Sequence, residues 1–172
     1  MNLDNIVIRN ATNSDIDKIS EIKVNGWKNA YAGIIDNNTL SNMTIEKEKK
    51  SYLCKYSLSD IFVVEINEDV VGFCRVYNYD KSPYEDVNID CEIREIYIRP
   101  DLKHMGIGSK LFTFILDNFR SKNKKKLYLG VFEKNYKSRK FYEKMGGILG
   151  KTSSLEINGN KYLIVSYLYN LK

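Results

Sequence analysis

Between Cys91 and Phe132 the chain passes from an apolar run, CEIREIYI, through the turn-like stretch DLKHMGIGSKL into an amphipathic segment, and leaves by a second apolar run, KLYLGVF. Few folds accommodate that succession. Ile107, Leu111, Phe114, Ile115 and Phe119 recur at helical spacing, so the middle segment reads as a helix with one buried stripe. A strand–helix–strand crossover makes its two strands parallel. Elsewhere the pattern demands the opposite. IFVVEI and VVGFCRVYNY flank Asn67-Glu68-Asp69, and GILGKTSSLEI and KYLIVSYLYNL flank Asn158-Gly159, a strong hairpin signal. Hairpins pair antiparallel, so one parallel pair has to be set into an otherwise antiparallel sheet.

The remaining segments complete the order. NIVIRNAT reads as a first strand, and Thr12 with Asp15 as a capping box that opens a helix. Ile16, Ile19 and Ile22 continue that helix, Trp27 and Tyr31 follow four apart, and Gly33 ends the pattern. GIIDNNTLSN, rich in asparagine, reads as a loop. A second helix is expected from Thr44, with Ile45, Tyr52, Leu53 and Tyr56 on its inner side. Ser138, Phe141, Tyr142 and Met145 predict a short helix stopped by Gly146-Gly147. The expected fold is α/β of the mixed, α+β kind: a mostly antiparallel sheet of about seven strands with about four helices, in one domain over residues 1–172.

Charge and cysteine usage narrow the function classes. Lysine and arginine total 27 against 22 acidic residues, a net charge of +5 that modestly favours anionic small molecules. Much of the excess lies in RSKNKKKLYL, which reads as a solvated helix end and turn rather than a nucleic-acid stripe. No run approaches the roughly 18 apolar residues of a membrane span, and MNLDNIVIRN lacks the shape of a signal peptide. Cys54, Cys74 and Cys91 are odd in number and widely spaced, which suits reduced thiols and a cytoplasmic location. His104 is the only histidine, so neither a structural zinc site nor a Ser-His-Asp triad centred elsewhere is expected, and no metal is assigned.

The stretch around Gly106 and Gly108 carries the first chemistry. A helix N-terminus presents N–H groups without intrahelical partners and a partial positive charge, so after a strand it makes an anion site. Glycines there let a phosphate approach the backbone. Lys103 adds a cation, as does His104 when protonated. No Gly-Lys-Ser/Thr closes the stretch as in a P-loop, and no third glycine completes a dinucleotide fingerprint. The residues alone read either as a pyrophosphate cradle of another kind or as a strand-to-helix turn that uses glycine for its geometry.

IYIRPDLKHMGIGSKL followed by LYLGVFEKNYKSRKFYEKMGG resembles the GNAT superfamily of acetyl-CoA-dependent N-acetyltransferases. Lys103-x-x-Gly106-x-Gly108 corresponds to the family's Arg/Gln-x-x-Gly-x-Gly/Ala motif, with lysine in first place. Asn135 and Tyr142 correspond to its Asn and helical Tyr. The resemblance implies acetyl-CoA as co-substrate, lying in a gap where the central parallel strands splay. Backbone atoms of Ile96, Tyr97 and Ile98 would line the pantetheine arm. Lys103, His104, Met105, Gly106, Ile107, Gly108 and Ser109 would hold the pyrophosphate, and Asn135 and Ser138 would complete the cofactor site.

It also implies an acid and a base. Tyr142 would protonate the departing thiolate; the competing reading is packing beside Phe141. Glu92 is the first candidate for the base and Glu95 the second, unless both are strand carboxylates in solvent or paired with Arg94 and Arg99. Trp27 and Tyr31 are candidates for acceptor binding or for core packing. Asp80, Glu85, Asp86 and Asp90 could form an acidic mouth or a soluble hairpin loop. The expected partner is a small-molecule or peptide amine, with some resemblance to bacterial PaiA-type polyamine acetyltransferases; no nucleic acid or membrane is expected, and the chain would be a monomer or homodimer. The alternative class is an acyl-CoA-binding sensor without catalysis.

Overall fold

The computed structural model describes residues 5–84 and 87–172. The elements follow in the order β1 (Ile6–Asn10), α1 (Ile16–Ala30), α2 (Asn37–Ser41), α3 (Ile45–Lys55), β2 (Ile61–Ile66), β3 (Asp69–Asn78), β4 (Cys91–Ile98), α4 (Ile107–Ser121), β5 (Lys126–Phe132), α5 (Tyr136–Lys144), β6 (Ile148–Ile157) and β7 (Asn160–Asn170). Local chemistry sets several boundaries. The Thr12 backbone N–H donates to Asp15 Oδ2 at 2.7 Å, forming the capping box, and Arg9 from β1 donates to the same carboxylate at 2.7 and 3.0 Å. Both turn residues Asn67 and Glu68 have positive φ (51° and 66°), as do Asn158 (49°) and Gly159 (79°), the backbone that two-residue hairpins require.

Two local expectations need correction. The asparagine-rich stretch contains α2, because Asp36 caps it: its carboxylate accepts from the Thr39 N–H at 2.8 Å and from the Thr39 hydroxyl at 2.6 Å. There are five α-helices among the described residues, α2 being the shortest. On α3 only Tyr52 is buried, at 1% exposure, while Ile45 and Leu53 are 39% and 55% exposed. The helix meets the rest of the fold along one narrow line centred on Tyr52, whose ring lies 5.9 Å from Phe73.

The seven strands form one sheet in the order β1-β2-β3-β4-β5-β7-β6. Every neighbouring pair is antiparallel except β4 with β5. That parallel contact holds only at Cys91↔Leu127 and Glu92↔Tyr128. Beyond it β4 stays with β3 as far as Ile98↔Gly72, and β5 stays with β7 as far as Phe132↔Ile164. The central strands thus splay, leaving the β4 edge past Glu92 without a strand beside it.

A bulge sets which side chains face which way. Arg75 pairs with Glu95 but Val76 pairs with Ile93, so Arg94 is the additional residue on β4. Side chains alternate along a strand, and the bulge resets the alternation. Cys91, Ile93, Ile96 and Ile98 join the core beneath α4 and α5, with Leu111, Phe112, Ile115 and Phe119. Tyr97 joins the opposite core, with Ile19, Ile22, Tyr52 and Phe73. Burying each such large apolar side chain contributes about 1.5–3 kcal/mol, so the sheet is fixed from both faces while the gap between β4 and β5 stays open. No helix among the described residues is long and apolar enough to cross a membrane.

Candidate active site

The β4–α4 turn closes one end of the gap. Gly106 caps α4 with φ 83°, a left-handed conformation that glycine adopts without strain, and no side chain caps the helix. Gly108 has a different reason to be glycine. It lies within α4, and a Cβ there would meet only Ile98 Cγ1 at 3.6 Å, an ordinary contact. The fold by itself would accept alanine, which favours a helix by up to about 1 kcal/mol. Packing within the chain therefore does not account for glycine at this position. Lys103, three residues before the cap, donates to Asn29 Oδ1 at 2.7 Å; burial, and then Lys137, pull its pKa down. His104 sits at φ 68° and Met105 is exposed.

Asn135 caps α5 and Tyr142 lies within it. Asn135 is buried and caps that helix, its Oδ1 accepting from the Ser138 N–H at 3.2 Å. Its amide nitrogen makes no hydrogen bond among the described residues. The Tyr142 ring packs between Phe112 (6.1 Å), Phe141 (5.5 Å) and Tyr167 (5.9 Å), so both readings of this residue have a basis in its surroundings. The hydroxyl distinguishes it. It has no hydrogen-bond partner among the described residues, and burial is the main influence on it. On the opposite face the Tyr31 and Tyr97 hydroxyls are 3.3 Å apart. Burial pushes the Tyr142 pKa well up, so the hydroxyl keeps its proton at neutral pH.

The two carboxylates of β4 are held differently. Glu95 accepts from Lys23 at 2.5 Å, Arg75 at 2.8 Å and the Tyr52 hydroxyl at 2.8 Å. Burial would raise its pKa, but Lys23 and Arg75 outweigh it and hold the group ionised. Glu92 is 5% exposed, takes a short hydrogen bond from Tyr79 and pairs with Arg94 at 3.1 Å. Here burial wins over Tyr79 and Arg94, and its pKa is raised. Arg99 serves neither: it pairs with Asp69 at 2.6 Å and Asp101 at 2.9 Å. Asp90 accepts from the backbone N–H groups of Lys125 and Lys126 at 2.8 and 2.9 Å, which assigns it to fixing β5; Glu85 and Asp86 lie outside the described residues.

On the α1 face an open cavity of about 690 Å³ is lined by Lys23, Trp27, Lys47 and Glu48 among others. Trp27 stacks edge-on against Tyr31 at 5.0 Å and Phe132 at 6.4 Å. Trp27 thus lines the cavity and packs on Tyr31 behind it.

Residues 33–147 match the model of the acetyltransferase (GNAT) family. The chain belongs to the GNAT acetyltransferases. A relative from Archaeoglobus fulgidus, named as an uncharacterised N-acetyltransferase, is 30% identical over 139 residues, covering 78% of this chain and 88% of that one. Another so named, from Lactobacillus delbrueckii subsp. lactis, is 32% identical over 89 residues, which is 51% of each chain; the match thus spans about half of that relative's length. Among solved structures, the PaiA N-acetyltransferase of Thermoplasma acidophilum in complex with coenzyme A aligns with a TM-score of 0.66 at 20% identity, covering 94% of this chain and 98% of that one. A ribosomal-protein-alanine N-acetyltransferase from Brucella melitensis aligns with a TM-score of 0.70 at 20% identity, covering 95% and 99%. At that identity the structures attest the fold.

The acetyl-CoA that a GNAT domain implies fits the residues present. The α4 N-terminus has no side-chain cap and Gly108 adds no side chain to its first turn, and the unpaired β4 edge leads from there past Ile98, Tyr97 and Ile96. Sequence reasoning missed Lys23, although a signal existed. Lys23 falls four residues after Ile19 and four before Trp27, on the apolar stripe of α1, where a charge needs a buried partner. It also missed Gly26, a glycine inside a helix. A Cβ there would come within 2.7 Å of the Tyr97 ring, so Gly26 lets α1 approach β4 closely enough to hold Tyr97 in place.

Proposed function

We propose that this chain transfers an acetyl group from acetyl-CoA to a primary amine of a small molecule or peptide, by direct attack with both substrates bound. The observation that carries the reading is the opening between β4 and β5. Gly106 and Gly108 follow the end of β4, Tyr142 lies on the helix that follows β5, and an open cavity lined by Trp27 lies on the α1 face. Bound acetyl-CoA would supply an activated acetyl group as a thioester. The N–H groups and cations of Lys103 to Ser109 bind the phosphates, and the free edge of β4 from Ile96 to Ile98 orients the pantetheine arm as an added strand would. Asn135 offers its unused amide to that arm. Tyr142 holds a proton for the sulfur as CoA leaves. Glu95, its charge fixed by Lys23 and Arg75, is a poor proton acceptor. Glu92, with its raised pKa, takes the amine's proton through water. Trp27 and Tyr31 wall the acceptor's approach.

Two measurements test this reading. Acetyl-CoA at about 100 times its Kd should add about 2.7 kcal/mol of stability, a rise in melting temperature of roughly 5–10 °C for a domain of this size. Gly108→Val should remove most of that rise while leaving the unliganded protein folded, because only Ile98 is near the new side chain. A folded Gly108→Val protein with undiminished acetyl-CoA binding would place the phosphates elsewhere. With a panel of amines, release of free CoA is the expected result; binding without release across the panel would favour the sensor reading instead.

Glu92→Gln should lower turnover at neutral pH and cost less at high pH, where more of the amine is already neutral. A pH profile of kcat/KM superimposable on wild type would remove Glu92 from the mechanism.

A further inference from the structure

We infer that Tyr79 is a positioning residue for the base: together with Arg94 it holds one oxygen of Glu92, Oε2, and leaves the other, Oε1, to take the proton that the amine gives up. The inference rests on Glu92 being the base, as proposed above. Tyr79 follows the last residue of β3 and prolongs the β3–β4 ladder by one bond, its N–H donating to the Asp90 carbonyl at 2.9 Å. Its ring packs on that of Tyr77, 4.9 Å between centroids, and Tyr77 lies directly across the sheet from Glu92. From there the Tyr79 hydroxyl donates to Glu92 Oε2. Arg94, two residues beyond Glu92, brings Nε to 3.1 Å from the same oxygen and donates through Nη2 to the Tyr79 oxygen at 2.8 Å. The three groups close a triangle. The Tyr79 oxygen accepts from the guanidinium, which has no proton acceptor of its own, so the phenol's proton is directed to Glu92.

The two carboxylates of β4 differ oxygen by oxygen. In Glu95 both are engaged: Lys23 reaches Oε1 at 2.5 Å, and Arg75 and Tyr52 reach Oε2 at 2.8 Å each. In Glu92 both contacts fall on Oε2, and Oε1 receives no hydrogen bond among the described residues. Nor is Oε1 sealed off. The buried side-chain atoms without a partner are Trp27 Nε1 and Asn78 Oδ1, so solvent reaches the free oxygen of Glu92. An unused, wetted acceptor on a carboxylate otherwise held still is what proton transfer through water requires. The clamp also keeps the base ionised. Burial raises the Glu92 pKa, and Tyr79, Arg94 and Arg75, in that order, oppose it. The other titratable groups on this side are Tyr77, Tyr84 and Tyr128, with Lys55 and Asp60 around the cavity beside Arg94; none of them bonds Glu92 among the described residues.

The experiment measures kcat/KM against pH for Tyr79→Phe, Glu92→Gln and the double variant, with an accepted amine at saturating acetyl-CoA. Tyr79→Phe keeps the ring on Tyr77 and removes the donor, so burial raises Glu92 further and the carboxylate stays protonated to higher pH. Relative to wild type, activity should fall about tenfold or more at the acid end, the size expected for a hydrogen bond to a charged group, and recover at the alkaline end. In the Glu92→Gln background the same substitution should cost less than about twofold at every pH, because the two residues act as a unit. Arg94→Gln, the second variant, should shift the profile in the same direction. A loss in Tyr79→Phe that is equal at all pH values and persists in Glu92→Gln would reduce Tyr79 to packing and overturn the inference. So would a Tyr79→Phe profile superimposable on wild type while Glu92→Gln is impaired, and in both cases the acetyltransferase reading stands. A Glu92→Gln profile matching wild type would remove the base and its positioner together, and no CoA release with any amine would defeat the acetyltransferase reading and this inference with it.

Discussion

Tyr142→Phe should slow acetyl transfer by about 10²- to 10⁴-fold, the usual weight of a positioned general acid, with acetyl-CoA affinity nearly unchanged. The substitution keeps the ring, and therefore its contacts with Phe112, Phe141 and Tyr167. It deletes only a hydroxyl that bonds to nothing among the described residues, so no structural hydrogen bond is lost and the melting temperature should hold. The phenol suits the task because burial keeps it protonated. Steady-state kinetics with any accepted amine and a binding titration decide the matter. Wild-type turnover in Tyr142→Phe, under conditions where chemistry limits the rate, would leave this residue as a core aromatic and the thiolate departing unassisted.

The largest stability effect is expected at Lys23. Lys23→Met leaves Glu95 and Glu48 facing each other's charge without the ammonium that joins them, and breaking a buried ion pair from one side costs about 3–5 kcal/mol. For a domain of this length that is roughly 6–20 °C in melting temperature. The pH dependence gives a second readout. Glu95 has a folded pKa below its unfolded value, near 4.3 for a free glutamate. Its contribution to stability is therefore complete above that value and lost as pH falls through the folded pKa. Removing Lys23 raises the folded pKa, so the variant should lose less stability on acidification than wild type. An unchanged melting temperature at neutral pH would show that Arg75 and Tyr52 suffice to hold Glu95.

The local elements were legible because their determinants are local. The stripe from Ile107 to Phe119, the Asn158-Gly159 turn and the Thr12–Asp15 capping box each act within a few residues, and each forms where it was expected. α2 escaped notice because a single cap, Asp36 to Thr39, outweighs an asparagine-rich composition. The parallel pair inside an antiparallel sheet followed from connection lengths alone, and the family followed from two spaced motifs. What the chain does not spell out is distance between remote residues. That Arg94 is an additional residue on β4 and that the strands part after Glu92 depend on register across the sheet. The roles of Glu92 and Glu95 were likewise open in the sequence, since strand carboxylates three residues apart look alike there. Their difference comes from α1, α3 and β3 delivering Lys23, Tyr52 and Arg75 to one of them, while Tyr79 and Arg94 close over the other. Ionisation is set by burial and by which charges arrive, and only the folded chain brings those together.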